Sequence, residues 1–254
     1  MKTVTIKQLE IGVGAPKIIV PMVGKNEAEL IDEALFLQKI DFDVLEWRVD
    51  HFTQVDNILA VKQVAKKITD LLPNKPLLFT FRTANEGGVK AWPLSSYIQL
   101  NKDMACSGLV DLIDVEAFIG DDYVKDIIDI AHNNQVFVVA SNHDFEKTPP
   151  KSEIINRLKK MQDLGADIPK IAVMPQTTDD VLTLLAATTE MNEKYAIKPI
   201  VTMSMAGLGV ISRIAGTTFG SAMTFGAAKN ASAPGQLDVN QLRYILDALY
   251  LNHR

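Results

Sequence analysis

Lys170 stands in Asp167-Ile168-Pro169-Lys170-Ile171-Ala172-Val173-Met174, where the neighbouring residues call for a strongly apolar strand. Burying an ammonium is costly unless it is paired or sheds its proton. A lysine amine made neutral by desolvation can attack a ketone and form a Schiff base. One strand upstream, Val136-Phe137-Val138-Val139-Ala140 runs into Ser141-Asn142-His143-Asp144. A nucleophile and an acid/base with a reference pKa of about 6.5 therefore close two successive strands.

Similar polar residues end other apolar runs. In Leu45-Glu46-Trp47-Arg48-Val49-Asp50, strand alternation puts Glu46, Arg48 and Asp50 on one face and Leu45, Trp47 and Val49 on the other. The apolar face suits a layer of helices, so Glu46 and Arg48 point into the interior. Leu77-Leu78-Phe79-Thr80-Phe81-Arg82 carries Arg82 to its end and continues to Glu86-Gly87-Gly88. Ser212-Arg213 lies near a helix start. Ala231-Ser232-Ala233-Pro234-Gly235-Gln236 has the small residues and Pro-Gly of a loop that closes over a ligand. Each feature has a plainer reading on its own. Glu46 and Arg48 form an ordinary ion pair, Arg82 snorkels from a strand end, Glu86 is a surface loop residue, and Lys170 begins its strand in water. Met203 and Phe225, near strand ends, read equally as cleft walls and as core. Convergence of all these groups at one end of a fold is what favours chemistry.

The elements needed for that convergence are legible. Strands are expected at 17–22, 43–49, 76–82, 110–115, 136–141, 168–173, 199–203 and 219–225. Between them lie helical patterns: Val124, Ile127, Ile128 and Ala131 fall at i, i+3, i+4 and i+7, as do Val181, Leu184, Leu185 and Thr188. Leu242, Ile245, Leu246 and Leu249 repeat the pattern, and Thr177 with Asp180 resembles a capping box. Strict alternation of strand and helix predicts an α/β fold, a (β/α)₈ barrel, with an open doubly wound sheet as the alternative. The first strand-to-helix turn lacks GxGxxG, which weakens a dinucleotide-binding fold. Val4/Ile6 and Leu9/Ile11/Val13 predict an N-terminal hairpin covering the bottom of the barrel. No linker divides the chain, so residues 1–254 are expected to form a single barrel domain.

Composition narrows the functions. A 47% hydrophobic content over 254 residues suffices for one large core. A net charge of -5 argues against nucleic acid as a partner, although an arginine cluster can still bind an anionic small molecule. The single cysteine, Cys106, excludes an intrachain disulfide and reads as a small buried apolar residue in a reducing compartment. No apolar run approaches membrane-spanning length and the first residues lack a signal-peptide core, so a cytoplasmic protein is expected. No HxH, HExxH or CxxC spacing supports a metal site. The residues alone leave open a Schiff-base enzyme, such as a class I aldolase, and a non-catalytic barrel that binds small hydroxy acids.

Glu46-Trp47-Arg48-Val49-Asp50, Phe79-Thr80-Phe81-Arg82, Ser141-Asn142-His143-Asp144-Phe145, Pro169-Lys170-Ile171-Ala172-Val173-Met174 and Ser232-Ala233-Pro234-Gly235-Gln236 closely resemble type I 3-dehydroquinate dehydratases. The resemblance runs from the hairpin to the last helix. It implies a (β/α)₈ barrel, a homodimer, and dehydration of 3-dehydroquinate to 3-dehydroshikimate in the shikimate pathway through a lysine imine. It implies that Lys170 forms the imine, that His143 moves the proton, and that Glu86 orients His143. It gives Arg213 the substrate carboxylate, with Ser232 and Gln236 assisting, and Glu46, Arg48 and Arg82 the ring hydroxyls. No metal or organic cofactor is implied. Where some members carry a serine that touches substrate, this chain has Pro21, which offers no hydroxyl.

Overall fold

The computed structural model describes residues 2–229 and 235–251. Eight parallel strands form the wall: β3 (Lys17–Met22), β4 (Val44–Arg48), β5 (Leu77–Thr80), β6 (Leu112–Glu116), β7 (Phe137–Asp144), β8 (Ile168–Val173), β9 (Val201–Ser204) and β10 (Met223–Ala227). Each of β3 to β8 pairs in parallel with the next, and β10 pairs with β3. The Ala222 N–H donates to the Ile200 carbonyl at 2.8 Å across a parallel bridge from Ile200 to Ser221, closing the barrel between β9 and β10. A short β11 (Leu237–Asp238) extends β10. The chain is therefore an α/β protein with a (β/α)₈ barrel.

The outer layer comprises α1 (Glu27–Leu37), α2 (Ile58–Leu71), α3 (Leu94–Ala105), α4 (Asp121–Asn133), α5 (Lys151–Asp163) and α6 (Thr178–Glu190). After β9 come the short α7 (Val210–Ile214) and α8 (Gly216–Phe219), and the described chain ends in α9 (Val239–Leu251). Local sequence fixes several starts. Asn26 and Asn57 cap α1 and α2, and Thr177 with Asp180 forms the expected capping box of α6. Leu45, Trp47 and Val49 pack outward with Val61, Val64 and Ile68 of α2. The inward residues of the same strand are thereby left to the lumen.

One inward residue from each of the eight strands builds the floor: Ile19, Val44, Leu78, Leu112, Val139, Ile168, Val201 and Met223. The hairpin of β1 (Val4–Ile6) and β2 (Leu9–Ile11) covers this floor with Val4, Ile6 and Ile11. Two residues further along β4 to β8 the same parity places Glu46, Thr80, Asp114, Ser141 and Lys170. Four residues further it places Arg48, Arg82, Glu116, His143 and Ala172. The lumen thus changes from hydrocarbon to charge along the strand direction.

Several expectations need correction. Residues 216–219 are helical, and Gly220 at φ 98° ends that turn, so the last wall strand begins at Met223 rather than at 219. β7 continues three residues past Ser141 because His143 and Asp144 still pair with Ala172 and Val173. Val13 lies outside the hairpin and is exposed, as is Leu249 on α9. Cys106 caps the end of α3 and is exposed, not buried.

Candidate active site

Lys170 lies within β8, not at its solvated start, and is only 4% exposed. Its Nζ sits 3.3 Å from Asp114 Oδ2 and 4.9 Å from the Phe225 ring centroid. Asp114 is fully buried and accepts from Arg82 Nη2 at 2.7 Å and from Ser141 Oγ at 2.6 Å. Burial opposes charge on Asp114, but Arg82 and Lys170 hold its carboxyl below the ordinary value. The positive charge of the arginines around Lys170 is therefore offset by a carboxylate in direct contact with it.

His143 enters the same cleft from the end of β7. Its Nδ1 lies 2.9 Å from Glu86 Oε2, and its backbone N–H donates to that oxygen at 3.0 Å. With Glu86 ionised, Nδ1 carries the proton and Nε2 is the basic nitrogen. Burial, followed by the cations Arg82, Lys170 and Arg48, holds the imidazole well below its usual pKa and keeps it neutral. Burial also pushes the Glu86 carboxyl up to about 7, against the pull of Arg82. Glu86 belongs to the single turn Ala84–Glu86 after β5, which ends at Gly87 with φ 83°. A Cβ on Gly87 would stand 2.2 Å from the Phe145 ring, so the glycine permits both the left-handed backbone and the close approach of that ring.

Around this pair the cations are tied down from behind. Arg48 Nε and Nη2 donate to Asp50 Oδ1 and Oδ2, each at 2.8 Å, in a bidentate fork. Arg82 Nη1 donates to Glu116 at 3.1 Å and to Ser141 at 3.0 Å, in addition to the Asp114 bond from Nη2. Glu46 accepts from the Thr80 hydroxyl at 2.9 Å. Arg213, on α7, is 1% exposed, and burial pushes its guanidinium pKa down to about 10.

These groups line a cleft of about 490 Å³ of atom-free space, part of it open to solvent. Lys170, His143, Glu86, Glu46, Arg48, Arg82, Arg213 and Gln236 all line it. Ala172, Met203, Met205 and Phe225 form its apolar wall, with Phe145 stacked near His143. Ser232 lies outside the described residues. Pro21 pairs with Glu46 in the sheet but does not line the cleft. Sequence reasoning missed Asp114 and Met205, and it gave no role to Asp50 or Phe145. For Asp114 a signal was present: Leu112-Ile113-Asp114-Val115-Glu116 alternates carboxylates with apolar residues as plainly as the Glu46 strand does.

The family model described as Type I 3-dehydroquinase matches residues 18–253. The chain belongs to the type I 3-dehydroquinase family. A 3-dehydroquinate dehydratase of Escherichia coli (strain 55989 / EAEC) is 60% identical over 250 residues, spanning 98% of this chain and 99% of that one. A crystal structure of the type I 3-dehydroquinate dehydratase from Clostridium difficile with covalently modified comenic acid superimposes with a TM-score of 0.97. It is 52% identical, and the match covers 99% of this chain and 100% of that one. The 3-dehydroquinate dehydratase from Geobacillus kaustophilus gives a TM-score of 0.96 at 35% identity, covering 100% of this chain and 98% of that one. Among type I 3-dehydroquinases a Schiff-base mechanism is characteristic, and a buried lysine beside a histidine–carboxylate pair is the donor set such a mechanism needs.

Proposed function

We propose that this chain dehydrates 3-dehydroquinate to 3-dehydroshikimate through an imine at Lys170, as a step of the shikimate pathway of aromatic amino acid biosynthesis. The observation that carries the proposal is a lysine Nζ buried in the same cleft as the His143–Glu86 pair. The Lys170 amine, once neutral, adds to the substrate ketone, and loss of water leaves a protonated imine. An iminium carbon is a stronger electron sink than a carbonyl. His143 Nε2 takes the proton from the adjacent carbon, and the C–H electron pair forms an enamine. The enamine electrons then expel the β-hydroxyl, which His143 protonates so that it leaves as water. Hydrolysis of the conjugated iminium releases the product and restores Lys170. His143 serves as base and then as acid, and Glu86 holds its tautomer.

Asp114 faces the reacting nitrogen and balances its charge both as ammonium and as iminium. Arg213 forks onto the substrate carboxylate with help from Gln236 and Ser232. Glu46, Arg48 and Arg82 hold the ring hydroxyls. The methionines and Phe225 keep bulk water from the enamine. The substrate is a small molecule, and every step uses side chains of this chain without a metal or organic cofactor. A single-domain homodimer in the cytoplasm completes the proposal. The one cysteine fits a reducing compartment, and among the described residues no helix is long and apolar enough to cross a membrane.

Adding 3-dehydroquinate to the purified chain should produce the ultraviolet absorbance of a conjugated enone. Absence of that product under conditions where the chain is folded contradicts the proposal.

A further inference from the structure

Asn142 stands between Ser141 and His143 in β7, where strand parity sets it opposite to both. Its Oδ1 accepts from Arg157 Nη1 of α5 at 3.0 Å. A guanidinium only donates, so the amide must turn its oxygen to Arg157 and its nitrogen away. That nitrogen, Nδ2, donates to Glu86 Oε1 at 3.1 Å. The other carboxyl oxygen, Oε2, is left for the His143 backbone N–H and imidazole. Arg157 is itself held by Glu153 at 2.9 Å and lies 3.7 Å from Asp144.

We propose that Asn142, its amide oriented by Arg157, is a positioning residue that fixes the rotation of the Glu86 carboxylate and so aims His143 at the substrate. This rests on the reading of His143 as the proton-transfer group. A carboxyl rotates about its last torsion with little preference, so one oxygen bonded from outside determines what the other one faces. Asn142 also favours the ionised carboxyl. The groups bearing on Glu86 are Arg82 after β5, Asp114 and Glu116 from β6, and Asn142 and His143 from β7. Of these, Asn142 and Arg82 favour the charged form, whereas Glu116 and Asp114 oppose it. Removing the Asn142 amide therefore raises the pH at which Glu86 takes a proton.

The test compares Asn142→Ala, Arg157→Ala and Arg157→Lys with the unmodified chain over pH 5–9, recording kcat, KM, thermal midpoint and borohydride trapping with 3-dehydroquinate. Asn142→Ala should lower kcat about tenfold with KM changed by less than about twofold. Its acid limb should move to higher pH by roughly 1–2 units, the amount one hydrogen bond to the carboxylate supports. Arg157→Ala should do the same more weakly, and Arg157→Lys, which restores a donor to Asn142 Oδ1, should recover part of the loss. Trapping at Lys170 should persist throughout. A fall in thermal midpoint with the acid limb unmoved, or unchanged kcat in Asn142→Ala, overturns the inference. Failure to trap the unmodified chain instead overturns the imine reading on which it rests.

Discussion

The two ends of one lumen differ in almost every property. At the floor, Val44, Leu78, Leu112, Val139 and Ile168 meet the hairpin residues Val4, Ile6 and Ile11, all apolar and buried. Two to four residues along the same strands and the same parity stand Glu46 and Arg48, Arg82, Asp114 and Glu116, His143, and Lys170. Hydrocarbon at the floor stabilises the fold at about 25 cal/mol per Å² buried. The charges at the mouth carry desolvation costs and persist because each has a partner, as Arg48 has Asp50 and Lys170 has Asp114. The contrast teaches that alternation and strand length divide labour: the N-terminal half of the strands holds the barrel, and the C-terminal half presents the polar groups of the cleft.

Mutations at the two ends should therefore separate stability from turnover. Lys170→Ala removes the nucleophile and should abolish dehydration above background in a steady-state assay while the circular dichroism spectrum is retained. His143→Ala should cut kcat by ~10²–10⁴-fold while an imine still forms, checked by intact-mass analysis after borohydride treatment. Arg213→Ala should mainly raise KM, by roughly 10–100-fold for a lost charge-assisted fork of about 1.5–3 kcal/mol. For the unmodified chain, kcat should fall as pH drops through the neighbourhood of Glu86's pKa of about 7, because a protonated carboxyl no longer holds the Nδ1 proton. At the floor, Ile11→Ala should cost about 2–5 kcal/mol by urea denaturation yet leave kcat unchanged. Loss of turnover without loss of stability in that floor variant would break the division.

The hairpin beneath the barrel and much of the mouth are legible in the sequence because both follow from period-two alternation. Glu46 and Arg48 were placed in the lumen because Leu45, Trp47 and Val49 so clearly needed the helices. The same rule applied to β6 puts Asp114 in the lumen beside Lys170. Its contact with Lys170 joins residues 56 positions apart on strands that are not neighbours, and no local pattern encodes such a distance. Glu86 is harder still. It sits in a single turn after β5, so its approach to His143 depends on the path of a loop, and family resemblance alone assigned it. Taken alone, Lys170 beside a proline reads as a solvated strand start, whereas the structure puts it within β8 beneath the barrel mouth. The last wall strand was misplaced because Phe219 favours β structure locally, whereas Gly220 ends a helical turn there.

The central claim is that the Lys170 nitrogen bonds covalently to the substrate. Incubation with 3-dehydroquinate and sodium borohydride, followed by proteolysis and peptide mass spectrometry, measures it directly. The account predicts a reduced substrate adduct on the peptide bearing Lys170 and irreversible loss of activity in step with it. An adduct on a different lysine, or full turnover with no adduct and undiminished activity in Lys170→Ala, would contradict it.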